Sequence, residues 1–366
     1  MDRSLYIGVD IGGTKIAAAL VTRLGHVMSR TKCGLSKNPA ADEVVRTTVR
    51  AVDELIRNAR GIPRTIKGIG IGIPGILDPK KETVLFSPNL DINGARIGPR
   101  LHKHFGLDVA IDNDVNVGLL GEQWLGAGQK KKNIVGVFPG TGIGGAVIIN
   151  NRLFSGAHGA GSEIGHMIVE QNGPPCGCLN KGCLEAVSSR SAIERDIIRQ
   201  LKKGKMSVLT DIVGTAPERI KSGALKKALR ADDPLTIRAL TRAAEQLGSA
   251  CVSLRHIFDP ELFIFGGGLI EACGYFMLPL IEKKLQDDPF FSEVPFAPVV
   301  PAQLGDDAVI LGAVALLQKK QGLKLYPYIR YPSVLQIKKG SVTIDSKTYT
   351  TDVFIRADGK VKKRKK

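Results

Sequence analysis

The chain has 366 residues, of which 43% are hydrophobic and 24% are charged. This composition is typical of a globular protein long enough for two domains, and no apolar run approaches the roughly 20 residues that span a bilayer. The net charge of +17 lies mainly at the end: 14 Lys and Arg follow from Lys319 onward against 3 Asp, leaving +6 on residues 1–318. Such a tail is expected to attract polyanions weakly, without specific nucleic-acid binding.

The N-terminus and the cysteines indicate a cytoplasmic protein. "MDRSLYIGVDIGG" lacks the basic region and long apolar run of a signal peptide. Three of the six cysteines are scattered and three are clustered, a distribution that suits a reducing compartment and a metal site. We therefore expect a cytoplasmic protein with no membrane partner.

The first elements in chain order are strands. "LYIGVDIGG" and "TKIAAALVTR" flank a glycine turn, and a turn at Leu24-Gly25 leads into "HVMSRTK", which predicts a β-meander. Apolar residues at helical spacing predict a helix over 41–59. "IKGIGIGIPG" and "LDVAIDNDVN" follow as strands, and "VGLLGEQWLGAG" predicts a helix.

The second part of the chain repeats this pattern. "NIVGVFPGTGIGGAVIIN" is again strand, glycine-rich turn with Thr, and strand, which predicts two similarly built halves. A long helix ends at Asp259-Pro260 and leads into "ELFIFGGG". A helix over about 272–285, the strand "PVVPAQL" and a helix over 306–320 complete an alternating α/β pattern. Beyond Gly322, Tyr, Thr, Val and Ile with turn residues predict two or three short strands.

Three glycine loops lie at predicted strand ends: "DIGGTK", "GTGIGG" and "FGGG". Glycines let the backbone approach a phosphate and expose N–H groups to it. A Thr hydroxyl adds a donor, and an acid such as Asp10 can hold magnesium, usually through water. None of the loops fits the Walker or dinucleotide patterns. A single loop of this kind usually makes a turn only, but three together indicate a nucleotide site.

A cluster of soft ligands lies between Gly161 and Ala186. Cys176, Cys178 and Cys183 have tight thiolate spacing, and His166 lies ten residues upstream. Three thiolates and one imidazole form a closed tetrahedral zinc site of the structural kind. The alternative for His166 is a histidine held in the core by hydrogen bonds.

"IDNDVN" places two acids at a strand end before a helix. Either carboxylate suits a base that takes a proton from a hydroxyl during phosphoryl transfer. The alternative is that these residues only cap the helix. Because the segment is a turn, the pattern does not choose between Asp112 and Asp114.

These motifs together resemble the ROK family of bacterial sugar kinases and sugar-responsive repressors. "DIGGTK", "DNDVN", "GTGIGG", "EIGH" and "CGCLNKGC" occur in the order and rough spacing of that family, over about residues 5–318. The resemblance implies an actin-like ATPase (ribonuclease H-like) fold, with two α/β domains around a cleft. We expect a small domain over 1–118 completed by helix 306–320, a large domain with the zinc loop over 119–305, and a C-terminal β appendage with the basic tail over 323–366.

The resemblance also assigns roles to residues. It implies that Asp114 is the general base and that Asn113 contacts a sugar hydroxyl. Further sugar contacts are implied for Gly75, Asn89, Glu163, His166 and Glu185, and zinc ligands for His166, Cys176, Cys178 and Cys183. ATP and Mg²⁺ are implied to bind at Asp10, Gly12, Gly13, Thr14, Lys15, Gly140, Thr141, Gly142 and Gly144, with the adenosine end near Gly266, Gly267 and Gly268. The chain departs from the family pattern at Leu179 and Ala146, where glycine is common.

The resemblance implies phosphorylation of a hexose at its 6-hydroxyl, with glucose as the first expectation and ATP and a sugar as the small-molecule partners. The alternatives are a kinase for N-acetylmannosamine, N-acetylglucosamine, fructose or allose, and a non-catalytic sugar-sensing regulator. ROK repressors carry a helix-turn-helix before the first strand, and here that strand is predicted to begin close to Met1. A zinc-finger nucleic-acid binder is disfavoured because its cysteines would lie inside an α/β body. We expect a homodimer or homotetramer. Polyphosphate is an alternative phosphoryl donor.

Overall fold

The structure is a computed structural model, and it describes residues 4–59, 65–78, 82–87, 90–215, 217–325, 334–338, 341–344, 347–350, 353–355 and 361–363. Contacts within the chain group the residues into two units, Met1–Leu325 and Tyr326–Lys366. Among the described residues, no helix is both long enough and apolar enough to cross a membrane.

The first part of the larger unit begins with the predicted meander. Its elements are β1 (Ser4–Ile11), β2 (Lys15–Thr22), β3 (Val27–Gly34), α1 (Ala41–Asn58), β4 (Thr65–Ile73), β5 (Ile76–Asp78), β6 (Thr83–Phe86), α2 (Ile97–Phe105), β7 (Asp108–Asn113) and α3 (Asp114–Leu125). The predicted turn, helix and strands are confirmed. Gly25 turns the chain between β2 and β3 at φ 88°.

The second part contains more helix than the sequence predicted. Its elements are β8 (Ile134–Pro139), β9 (Ile143–Ile149), β10 (Arg152–Leu153), α4 (Leu184–Ser188), α5 (Arg190–Lys202), α6 (Leu209–Val213), α7 (Ser222–Arg230), α8 (Pro234–Phe258), β11 (Leu262–Phe265), α9 (Gly268–Gln286), β12 (Val299–Pro301) and α10 (Ala308–Lys320). Helix α9 begins earlier than predicted because Gly267, at φ 82°, already forms its N-cap. Residues Gly305–Asp307 form a 3₁₀ turn before α10.

The two five-stranded sheets have the same strand order. The first sheet runs β3-β2-β1-β4-β7, and the second sheet runs β10-β9-β8-β11-β12. In each, an antiparallel meander leads to two parallel strands. This duplication confirms the predicted repeat and the predicted actin-like fold.

Helix α3 lies between the two sheets. Leu119 packs with Ile264 and other residues of the second sheet, whereas Leu120 packs with Ala17 of the first sheet. Every residue from Asn116 to Trp124 is buried. The helix is therefore enclosed, and its N-terminus is held in place from both sides.

Helix α10 crosses from the second sheet to cover the first. It packs on β1, β4, β7 and α3. The approach is backbone to backbone: a Cβ on Gly70 would lie 1.9 Å from the carbonyl oxygen of Ala313, and a Cβ on Gly312 would lie 1.7 Å from that of Val117. Any larger residue at either position would displace the helix. The predicted domain boundaries at 118, 305 and 323 stay predictions.

The smaller unit is a β appendage, as predicted. Among its described residues are five short strands, rather than the two or three expected: β13 (Val334–Lys338), β14 (Ser341–Ile344), β15 (Lys347–Tyr349), β16 (Val353–Ile355) and β17 (Val361–Lys363). The first three form one antiparallel sheet and the last two pair with each other. Strands of three residues are too short to show an alternating pattern.

Candidate active site

The turn from β7 into α3 is fixed by Asn113. Its Oδ1 accepts hydrogen bonds from the backbone N–H groups of Val115 and Asn116, at 2.9 and 3.2 Å, so it caps the helix. Its Nδ2 donates to the carbonyl oxygen of Gly75 at 3.0 Å. The capping role considered from the sequence is therefore real, and one amide N–H remains for a ligand.

The two aspartates of this turn have different surroundings. The Asp112 carboxylate accepts hydrogen bonds from the Asn113 N–H at 2.7 Å and from Asn116 Nδ2 at 3.1 Å, and it faces a cavity lined by Leu316 and Lys319. Within the part of the chain that the structure describes, Asp114 accepts hydrogen bonds from neighbouring backbone N–H groups alone, with Val115 N at 2.9 Å. The geometry therefore favours Asp114 as the carboxylate available for chemistry.

Two carboxylates from separate elements, those of Asp10 and Glu163, interact electrostatically with Asp114. Burial raises the pKa of Asp114, backbone N–H groups lower it in part, and the Glu163 carboxylate raises it further. Burial also raises the pKa of Asp10 to about 6, with repulsion from Asp114 as the second cause. Partial burial raises the pKa of Glu163, while His166 lowers it and Glu185 raises it. The predicted acids of three motifs thus meet in one place, where a strongly negative field favours cations.

The predicted zinc ligands come together. The ligand atoms of His166, Cys176, Cys178 and Cys183 all lie within 4.8 Å of one another. Cys176 Sγ is 3.6 Å from His166 Nδ1, and Cys178 Sγ is 3.6 Å from Cys183 Sγ. A tetrahedral zinc site with ordinary bond lengths has ligand separations of about 3.5–3.8 Å. The donor set and its spacing fit zinc, and the Nε2 atom of His166 is left for another partner.

Glu185 joins this Cys/His cluster to the second glycine loop. Its Oε2 accepts a hydrogen bond from the Ile143 N–H at 2.9 Å, and its Oε1 lies 3.7 Å from Cys176 Sγ. A Cβ on Gly142 would lie 2.2 Å from Glu185 Oε2, so only glycine allows this approach. Gly144 packs on the Val115 side chain, next to Asp114.

The first glycine loop is tied to itself and to Asp10. The Gly12 N–H donates to the Lys15 carbonyl oxygen at 2.9 Å, and the Lys15 ammonium lowers the pKa of Asp10 in part. Thr14 and Lys15 are exposed, while Gly12 and Gly13 are half-buried. The side chains of Thr14 and Lys15 are therefore accessible to solvent next to Asp10.

The third glycine loop lies against the second. A Cβ on Gly267 would lie 2.8 Å from the Pro139 carbonyl oxygen, and one on Gly266 would lie 2.7 Å from the Phe138 ring. Gly268 begins helix α9. Contacts and electrostatic interactions therefore link the predicted site residues of the separate motifs, whereas Asn89 lies outside the described residues.

Sequence reasoning missed Arg190. Its NH2 donates to Thr141 Oγ1 at 2.8 Å, and its N–H donates to the Gly140 carbonyl oxygen at 2.9 Å. Its NH1 pairs with Glu194 at 2.8 Å, and both side chains are 13% exposed. The contact with Thr141 joins residues far apart in the sequence and depends on the packing of α5, so no local pattern signals it.

Sequence reasoning also missed Glu122. Its side chain is fully buried in α3 and accepts hydrogen bonds from three backbone N–H groups, of Ala127, Gln303 and Leu304, at 2.8–2.9 Å. It fastens α3 to the segment that precedes α10. A lone glutamate within an apolar helix was the available signal, because a buried acid needs such partners.

Comparison with known proteins gives one consistent result. A model described as "ROK family" matches residues 6–320. A glucokinase from Thermotoga maritima is 35% identical over 323 residues, which cover 88% of this chain and all of that protein. A xylose repressor from Caldicellulosiruptor bescii is 30% identical, over 86% of this chain and 78% of the repressor. The crystal structure of a ROK family glucokinase from Streptomyces griseus with glucose and AMPPNP is 33% identical, with a TM-score of 0.73, over 86% of this chain and 99% of that one.

Proposed function

This chain belongs to the ROK family, and we propose that it is a hexose kinase that transfers the γ-phosphoryl group of ATP to the 6-hydroxyl of glucose. Its similarity to glucokinases over most of its length supports this activity. The observation that carries the proposal is the position of Asp114. It lies at the start of an enclosed helix between two glycine loops, with the acids and ligands of the Cys/His cluster beside it.

Asp114 is the general base of this proposal. Its carboxylate takes the proton of the sugar 6-hydroxyl while that oxygen forms a bond to the γ-phosphorus, and the bond from phosphorus to the bridging oxygen of ADP breaks. A raised pKa suits this role because the base must hold the proton during transfer. The Asn113 cap prevents the turn from moving, and positioning of this kind contributes most of the catalysis in phosphoryl transfer.

The nucleotide is proposed to bind along the three glycine loops. N–H groups of the first and second loops face the phosphates, with the hydroxyls of Thr14 and Thr141 as further donors. Asp10 would hold Mg²⁺, which neutralises charge that develops on the transferred phosphoryl group. Gly267 and its neighbours bring the third loop against Pro139, which supports placing the adenosine end there.

The sugar is proposed to bind between Asp114 and the Cys/His cluster. Glu163 and Glu185 accept hydrogen bonds from hydroxyls, and His166 uses Nε2 for the sugar while Nδ1 faces the metal site. Zinc held by His166 and the three cysteines would fix the loop that carries these groups. Gly75 reaches the site through Asn113.

The proposal is tested with a panel of sugars and phosphoryl donors. Purified protein is assayed with glucose, fructose, allose, N-acetylmannosamine and N-acetylglucosamine, each with ATP and with polyphosphate. We expect the highest kcat/KM for glucose with ATP. A higher kcat/KM for another sugar would identify the protein as a kinase for that sugar instead of glucose. Tight sugar binding without transfer to any sugar would favour the regulator class, to which the similar xylose repressor belongs.

A further inference from the structure

A second cavity lies behind the loop of the Cys/His cluster. Its volume is about 450 Å³, which is within the range of small-molecule pockets. One wall is the loop segment from Glu170 to Pro174, another is α4, and the rest comes from α5 and α8. None of the proposed sugar, nucleotide or metal residues lines it.

Positive charge predominates in this cavity. It is lined by three guanidinium groups, from Arg195, Arg199 and Arg242, and by two carboxylates, from Glu170 and Asp196. Arg199 pairs with Asp196, and Arg242 approaches Glu170 only to 3.8 Å, with 56% of its side chain exposed. One positive charge is therefore unbalanced, and planar guanidinium groups bind phosphate in a two-pronged geometry.

Two of the arginines contact segments that hold the active site. Arg195 NH2 donates to the carbonyl oxygen of Ala186, the residue after Glu185. Arg242 pairs with Glu170, whose N–H donates to the Gly182 carbonyl oxygen at 3.1 Å. A Cβ on Gly182 would lie 1.8 Å from the Glu170 carbonyl oxygen, so this segment cannot move without moving Cys183.

We propose that this cavity is a regulatory site for a phosphate monoester that carries hydroxyl groups, such as a sugar phosphate. The guanidinium groups take the phosphate, and the carboxylates of Glu170 and Asp196, with the Asn172 amide, take the hydroxyls. Binding changes sugar affinity through the two contacts just described, and the coupling acts equally in both directions. Because the product of the proposed kinase belongs to this chemical class, the regulation, unlike the binding itself, rests on the proposed function.

The binding is tested by calorimetry on the full chain. Active sites are first saturated with glucose, Mg²⁺ and a non-hydrolysable ATP analogue, and glucose 6-phosphate is then titrated. We expect one further binding event per chain. The double variant Arg199→Gln/Arg242→Gln should weaken it at least tenfold. The matched control Lys202→Gln/Arg238→Gln removes two cations from the same helices, outside this cavity, and should change it less than twofold.

Other outcomes have defined meanings. No further event in the wild-type chain, or equal loss in both double variants, overturns the proposal. Inorganic phosphate binding as tightly as glucose 6-phosphate overturns the recognition of hydroxyls. The coupling is measured by titrating glucose with and without glucose 6-phosphate. Competition between the two ligands at the active site changes the apparent Kd for glucose in the wild type and in both double variants. The wild type and the control variant must therefore show an additional shift of at least threefold in this Kd, which the Arg199→Gln/Arg242→Gln variant lacks. The sugar and donor panel, run without any phosphate ester, reports separately on the kinase assignment.

Discussion

The two sheets share one strand order but supply different chemistry at matching positions. Asp10 is the last residue but one of β1, and Phe138 is the last residue but one of β8. Each lies two residues after a glycine. The acids of the first half, Asp10 and Asp114, come directly from strand ends or the helix that follows. Those of the second half, Glu163 and Glu185, come from segments outside the sheet that surround the Cys/His cluster.

Among the described residues, the one Cys/His cluster that could hold a metal ion lies in the second half, and this difference accounts for its position. A carboxylate at a strand end is positioned by the ladder of backbone hydrogen bonds. Glu163 has no such support, because it precedes a 3₁₀ turn of three residues in a long loop. A metal ion bound by four side chains would hold such a loop in place. The first half is therefore expected to control the chemical step, and the second half to control affinity for the sugar.

The largest effect is expected at Asp114. Asp114→Asn removes the base and should lower kcat about a thousandfold or more, since general-base catalysis contributes about 10²–10⁴ and positioning is also disturbed. Sugar and ATP affinity, measured by calorimetry, should change little. The matched control is Asp112→Asn, which should lower kcat less than tenfold because that carboxylate is engaged with Asn113 and Asn116. Equal losses in both variants would contradict the division between the two acids.

Removal of the metal is expected to act on the other half. Cys183→Ser should reduce the metal content from about one equivalent per chain, as expected for a closed site, and weaken glucose binding at least tenfold. The nucleotide should still bind, because none of the metal ligands belongs to the glycine loops. Cys33→Ser is the control, since that thiol lies in β3, and it should retain both metal and sugar. Full glucose affinity in a metal-free variant would show that the Cys/His cluster does not position the loop that carries the proposed sugar contacts.

Substitution of Asp10 in the first half is expected to raise stability and to lower activity. Its pKa is about 6 in the folded chain and 3.8 ordinarily, so the folded state binds its proton more tightly and the free energy of unfolding falls as the pH rises from 4 to 6. The substitution Asp10→Asn removes this fall in the free energy of unfolding. Without Mg²⁺ and nucleotide, the variant should be more stable at pH 7.5 by at most about 3 kcal/mol, with little difference below pH 4, while its kinase activity falls.

Chemical denaturation of both proteins at pH 4, 5, 6 and 7.5 measures the difference. A gap in stability that is the same at every pH would mean that the carboxylate charge is not its cause.

Leu179 offers a smaller test of the second half. It lies in the metal loop at φ 72° with 95% of its surface exposed, in the left-handed region that disfavours side chains. Leu179→Gly should raise the unfolding free energy by about 0.5–1 kcal/mol, because the greater freedom of glycine in the unfolded chain offsets part of the relief. Thermal unfolding of the metal-loaded protein measures this. Leu179→Ala keeps the strain and should give no gain; an equal gain from both would point to the exposed apolar side chain instead.

The smallest effect is expected outside both halves. A chain ending at Leu325 retains the whole of the larger unit, including Leu323 and Leu325, which pack on the cluster around α10. Its kcat and KM should stay within twofold of the full chain. A tenfold loss in a folded, shortened chain would mean that the appendage contributes to phosphoryl transfer.

The sequence was informative where chemistry requires particular residue types at short spacing. The glycine loops, the cysteine spacing and the "DNDVN" turn could all be found locally. The electrostatic coupling of Asp10, Asp114 and Glu163 could not, because it depends on two sheets meeting across α3. Helices α4 to α7 were missed, and with them Arg190. Helices α4 and α6 have five residues each, which is too few turns to show a period.

The path of α10 has a consequence for synthesis of the protein. The first sheet is complete in sequence at Asn113, but the helix that covers β1 and β4 begins at Ala308. At ordinary elongation rates of about 5–20 residues per second, this helix leaves the ribosome about 10–40 s after β7. During that interval the surface of β1 and β4 that α10 covers is exposed, and these apolar strands are suitable substrates for chaperones. The first half of the nascent chain therefore cannot complete its fold until nearly all of the larger unit has been synthesised.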